Sequence, residues 1–329
     1  MRQLVISIIT FITLALLIGL FTYSISTDQK PEKSYYDAYK SDYKIFSPPL
    51  PKDAIFAGEN APLEIYYVSE KLEKEILVNT YWHSNTLLLF KRANRWLPVI
   101  NPILKKNNIP SDFVYLALIE SGLTQAVSPA GARGFWQLMK PTAISYGLTV
   151  NSEIDERYHV EKATQIACDY LNEAYAKFGS WTLAAASYNM GMGGLNKQLD
   201  LQKVSNYYDL SLNSETGRYV YRILALKTIF SNPSKYGFQL RETDLYPELE
   251  TTDIIVDTIQ ISWADFANSK SISYQMLKEL NPWLLTPTLS NSKGEKLIIK
   301  IPRKSMYDYA KLRAALSDKL GVFGEKKER

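Results

Sequence analysis

The sequence predicts a mainly α-helical protein that closes with a small α+β module. Three observations carry that reading. Apolar residues recur at i, i+3 and i+4 through most of 61–232. Nothing in that stretch alternates as a strand. Two short β-branched runs, TTDIIVDTIQIS and KLIIKIP, then flank helical segments between 250 and 302.

The elements follow in order. An apolar run from Leu4 to about Phe21 holds no charge, and Arg2 is the only charge before Asp28. Its length sits at the lower edge of the roughly 17–25 residues of a spanning helix and exceeds the roughly 7–15 of a signal core. Residues 1–27 are therefore expected to be a membrane anchor or a signal peptide, with the anchor favoured, and to place the chain outside the cytoplasm. Residues 28–60 are polar and tyrosine-rich and are broken by SPPLPKD, which reads as a linker. Helices are expected over LEIYYVSEKLEKEILVNTYW, over NTLLLFKRANRWLPVINPILKKNNI, and over 112–121, 141–146, 160–178, 180–189 and 215–230. A glycine-containing loop at 127–134 interrupts them. The tail 303–329 reads as a short amphipathic helix with a charged end.

Composition narrows the function. With 38 Lys and Arg against 34 Asp and Glu, the net charge is +4 and no basic stripe forms, so nucleic-acid binding is disfavoured. Cys168 is the only cysteine, so it makes no internal disulfide, and its helical surroundings fit a buried core residue. His83 and His159 stand in no metal-ligand spacing. No metal and no cofactor are expected, and a monomer is.

The chemistry concentrates in FVYLALIESGL, residues 113–123. Ser111 is a candidate N-cap and Gly122 a stop, and Phe113, Leu116, Ala117 and Glu120 share one stripe of the helix between them. An ionised carboxylate in such a place is paired, or its pKa rises and it holds a proton. Spacing alone leaves two readings open, a glutamate reaching water from a frayed end or a buried acid.

The residues that follow narrow this. ES at 120–121 is followed by SPAGARGFWQLM, PTA, SYNMG and ETGRYV, in that order. Across roughly 62–230 this series resembles the lytic transglycosylases of the soluble-lytic-transglycosylase type, which have a goose-lysozyme-like helical domain, and among them the membrane-bound murein transglycosylase D group. The resemblance implies a peptidoglycan enzyme of the cell envelope. Glu120 would be its single acid/base, cleaving the MurNAc–GlcNAc bond with formation of a 1,6-anhydro sugar. It further implies that Ser128 hydrogen-bonds the acid and that Gly134 lets the backbone approach a sugar. Trp136 would offer a stacking surface, Gln137 an amide, and Tyr188 and Asn189 would face the sugar. Glu215 and Tyr219 would close the groove.

Ser187 and Met190 replace the alanines usual around the YN motif. Asp155, Glu156 and Arg157 lack the usual continuation and read as a helix-start and salt-bridge cluster. Residues 250–302 are similar to a LysM module that binds N-acetylglucosamine glycan, with Val256 where glycine is usual. Two alternatives stay open. One is a muramidase, for which an inverting mechanism needs a second carboxylate, and Asp155 and Glu156 are the nearest in sequence. The other is an inactive glycan-binding protein.

Overall fold

The computed structural model describes residues 37, 45–257, 260–291, 294–314 and 316. The expected anchor at 1–27 and the tail beyond 316 lie outside the described residues. Among the described residues no helix is long and apolar enough to cross a membrane.

The helical region is built around one short, very apolar helix. A 3-10 turn, Ser111–Phe113, runs into α3, Val114–Ser121. Val114, Leu116, Ala117, Leu118 and Ile119 are all buried in it. Ser111 provides no side-chain cap; the expected capping position opens the 3-10 turn instead. Gly122 ends the helix at φ +59°, a left-handed conformation that glycine reaches without steric cost.

Around α3 stand α1, Tyr66–Tyr81, and α2, His83–Lys106. After the loop come α4, Lys140–Ser145; α5, Val160–Phe178; α6, Trp181–Met190; α7, Met192–Gln202; and α8, Thr216–Ser231. The acid-bearing α3 packs on α2 and α8, while α1 lies along α8 and α6 bridges α5 and α8. Cys168 is fully buried in α5, and burial pushes its thiol up to about 12, so it is inert.

One expectation fails at the N-terminal side. The stretch read as linker up to residue 60 holds a small antiparallel hairpin, β1 Ile55–Phe56 and β2 Glu59–Asn60. Ala54, Phe56 and Ala61 are buried in the main core, and the Phe56 ring meets Phe113 edge-on at 5.0 Å. Glu59 caps α6 by accepting from the Trp181 and Thr182 backbone amides. The hairpin belongs to the helical domain. Three buried residues spread over eight positions are too sparse to register as a periodic pattern.

The C-terminal module pairs β3, Thr251–Val256, with β6, Leu297–Pro302, and β4, Gln260–Ser262, with β5, Thr288–Ser290, both antiparallel. Helices α9, Trp263–Ser269, and α10, Tyr274–Leu280, lie between β4 and β5. Trp263, Leu277 and Ile299 centre a separate core. The module is docked on the helical domain. Ile154 bridges Leu284 in antiparallel fashion and is buried in the module's core. Asp155 N donates to Trp283 O at 2.9 Å and Leu285 N to Glu153 O at 2.8 Å. Beyond the module a helix, α11, spans Tyr309–Ala314.

Candidate active site

Glu120 sits on the last turn of α3 and faces a cavity of about 670 Å³. Glu75, Trp82, Arg92, Thr124, Glu215 and Arg222 are among the residues lining it. Burial pushes the Glu120 carboxyl up to about 7. The hydroxyl of Tyr219, which donates to Oε1, and the Arg222 guanidinium both pull the other way, while Glu215 adds to the rise. Arg222 itself is held by the Ile119 carbonyl at 2.8 Å. Glu120 is half-buried at the end of α3, and its raised carboxyl favours the acid reading over a frayed end open to water. Near neutral pH this is one carboxyl poised between its acid and base forms.

The motif ETGRYV explains itself on α8. Glu215 and Tyr219 are four residues apart, so they share a helix face. Glu215 stands at the cavity wall and the buried Tyr219 hydroxyl meets the acid. Arg218 between them is taken up by Glu75 through Nε and NH2, the latter at 3.0 Å. We expect Tyr219→Phe to raise the Glu120 pKa above its wild-type value, because the lost donor favours the carboxylate. A carboxyl-carbon NMR titration measures this, and a downward or absent shift would count against the contact.

Asn189 and Tyr188 do not line this cavity but bond to residues next to it. Asn189 ties the end of α6 to the start of α8: its Oδ1 accepts from Thr216 Oγ1 at 2.7 Å and its amide donates to Glu215 at 3.2 Å. Tyr188 donates to the Trp136 carbonyl at 2.8 Å.

Four expectations need correction. Trp136 has no exposed surface and donates from Nε1 to Thr164 at 2.8 Å, so it packs the core and offers no stacking face. Gly134, at φ +77°, does allow a close approach, but of the Arg157 carbonyl: a Cβ there would lie 2.0 Å from that oxygen. Ser128 accepts from Ala132 N at 3.0 Å within its own loop and does not bond the acid. The Gln137 amide donates to Ala126 O and Gly134 O, bracing the loop from inside.

Asp155 and Glu156 are not among the residues lining the Glu120 cavity. Asp155 forms a buried fork with Arg157 and accepts from Arg133 at 3.2 Å, as the salt-bridge reading expects. Glu156 pairs with Lys162 and accepts from Thr149 N. The carboxylates that do share the cavity with Glu120 are Glu215, expected at the groove, and Glu75, which sequence distance hides. Trp82 also escaped the sequence reading. It is 60% exposed at the break between α1 and α2 and lines the cavity. A large exposed indole beside a cavity marks a binding surface, and its place at the end of a long helical run was the only clue.

Comparison with known proteins gives two domain matches and two relatives. Residues 98–210 match the transglycosylase SLT domain family, and residues 252–305 match the soluble lytic transglycosylase C-terminal LysM-like domain. The chain is also similar to the membrane-bound lytic murein transglycosylase D of Escherichia coli strain K12 and of an O6:H1 strain. Each is 30% identical over 243 residues, 72% of this chain and 52% of the relative. The chain thus matches about half the length of these relatives.

Proposed function

We propose that this chain is a peptidoglycan lytic transglycosylase with Glu120 as its single acid/base. The observation that carries the reading is one carboxyl, raised to about 7 and hydrogen-bonded by Tyr219, opening on a cavity large enough for sugar rings. The names of its relatives and the two domain matches support the substrate class.

In this reading protonated Glu120 gives its proton to the oxygen between MurNAc and GlcNAc as the C1–O bond breaks. The carboxylate so formed takes the proton of the muramoyl 6-hydroxyl. That oxygen closes on the anomeric carbon, which gives the 1,6-anhydro end and returns Glu120 to its acid form. No water is consumed. The Tyr219 hydroxyl steadies the carboxylate stage, and the Arg222 charge does the same.

Tyr188 and Asn189 hold the groove wall beside the sugar, and Ser128, Gly134 and Gln137 shape the loop behind it. Residues 61–232, together with the hairpin before them, form the catalytic domain, and 250–302 the glycan-binding module. Residues 1–27 anchor the enzyme in the cell envelope, outside the cytoplasm, with peptidoglycan strands as its partner.

Trp82 is the sugar platform. Stacking of this kind is worth roughly 1 kcal/mol, so Trp82→Ala is expected to raise KM about fivefold at unchanged kcat. A fall in kcat alone would place Trp82 elsewhere in the mechanism.

Glu215 favours a second reading. As a second carboxylate on the same cavity it is a candidate base for water, which would make the protein a muramidase. Digestion of purified peptidoglycan followed by mass spectrometry separates the two. Anhydro-muropeptides formed by both wild type and Glu215→Gln support the transglycosylase. Reducing ends that vanish in Glu215→Gln support the hydrolase, and no cleavage by wild type rejects both.

A further inference from the structure

A second cavity, of about 310 Å³, lies where the C-terminal module meets the helical domain. Arg92, Arg95 and Gln125 come from the helical side, and Glu279, Trp283 and Lys300 from the module. Arg92 and Thr124 belong to the walls of both this cavity and the one holding Glu120, so the two adjoin. Arg92 reaches to within two residues of the acid, donating to the Gly122 carbonyl at 3.2 Å.

The charges at this junction are unevenly matched. Lys300 is paired with Glu161 at 2.9 Å, and Glu279 accepts from the Gln275 amide. Glu161, Glu248 and Glu279 line the cavity with the arginines, but Glu279 acts on Arg95 only at a distance, without an ion pair. Arg95 donates from Nε to the Pro247 carbonyl at 3.0 Å and lies over the Tyr246 ring at 5.1 Å. Among the described residues neither Arg92 nor Arg95 has a carboxylate within ion-pair distance. Burial also depresses the Arg95 pKa, the mark of a charge without adequate solvation. Gln125 Oε1, on the same wall, is buried without a hydrogen-bond partner. A half-buried guanidinium that keeps terminal N–H groups beyond its one carbonyl bond can receive a carboxylate or phosphate, since parallel N–H bonds match either anion.

Continuity with the catalytic cavity decides between those anions. A muramoyl sugar carries, on its lactyl arm, a peptide stem that bears free carboxylates and amide donors. We propose that the junction cavity binds the carboxylates of this stem, with Arg95 and Arg92 as the anion-binding groups and Gln125 Oε1 receiving a stem N–H. This rests on the transglycosylase reading above. The module then does more than hold glycan: docked through Ile154 and Leu284, it completes the wall that senses whether a strand still bears its peptides.

The test compares peptidoglycan strands bearing stems with the same strands stripped of them by an amidase. Wild type is expected to prefer stem-bearing strands by about tenfold in kcat/KM, through KM. Arg95→Ala brings the ratio of the two toward one, and Arg95→Lys restores part of it. A wild-type ratio of one, or a ratio that Arg95→Ala leaves in place, overturns the proposal. Should Arg95→Ala fail to fold, calorimetry on the full chain carrying Glu120→Gln decides. A disaccharide-tetrapeptide binds about tenfold tighter than the bare disaccharide if the proposal holds, and equal affinities overturn it. Wild type that cleaves neither strand sinks the transglycosylase reading, while the calorimetric comparison still answers for the cavity.

Discussion

Glu120→Gln abolishes peptidoglycan cleavage and, above neutral pH, makes the protein more stable than wild type. The loss follows from one group acting as both acid and base. General acid–base catalysis contributes about 10²–10⁴-fold, and with both transfers assigned to one carboxyl the loss reaches the upper end or beyond. The gain in stability follows from linkage. The folded carboxyl titrates near 7 and the unfolded one near 4.5. Below 4.5 both are protonated and nothing differs. As pH rises from 4.5 through 7, the unfolded state releases its proton freely while the folded state must ionise a buried acid. Wild type thus loses about 3 kcal/mol over that window, and the neutral amide loses none. Melting temperatures at pH 4.5 and 8 measure the effect: the variant's advantage should appear only at the higher pH. Substantial residual cleavage, or an advantage equal at both pH values, would be inconsistent with this assignment. The same titration sets the activity profile, which falls as pH rises above about 7 and the acid form is depleted.

Much of this arrangement is legible in the sequence because it is periodic or local. The helices α5, α6 and α8 coincide with the apolar periodicity to within a residue or so. The burial of the Glu120 carboxyl follows from its stripe. Pro98 and Pro102 did not hide α2, since the surrounding apolar spacing outweighs the two missing amide donors. What is not legible depends on chain segments that meet only in three dimensions. Trp136, Gly134 and Gln137 look like ligands because they surround a motif, yet their side chains or backbone close on Thr164, Arg157 and Ala126 instead. A buried indole and an exposed one have the same letter. Trp82 and Glu75 reach the cavity from a part of the chain distant in sequence from Glu120, and no spacing rule connects them. The hairpin at 55–60 is missed for the same reason, since its burial is imposed by Phe113 and α6.

The other large effect is expected far from the acid, at Arg157. Its guanidinium, nearly inaccessible to solvent, donates to both oxygens of Asp155, to Gly131 O at 3.0 Å and to Leu138 O at 3.1 Å. Its carbonyl touches Gly134. One side chain thus pins the middle and the far end of the loop that follows the catalytic helix, and Ser121 ties that loop to the helix by donating to Phe135 O at 2.8 Å. Arg157→Ala leaves a buried carboxylate facing only the half-exposed Arg133 and leaves two carbonyls without this donor. Breaking such a pair costs about 3–5 kcal/mol, and Arg133 keeps the loss toward the lower figure. The two residues act as a unit, so Asp155→Ala combined with Arg157→Ala should lose less than the sum of the single variants. Chemical denaturation of the three proteins measures this coupling. Because the loop is fixed against the acid-bearing helix, kcat should also fall at temperatures where Arg157→Ala is fully folded, with the Glu120 titration moved from its wild-type position. A variant that loses stability additively and keeps both kcat and that titration would show that the fork holds the fold and has no part in placing the acid.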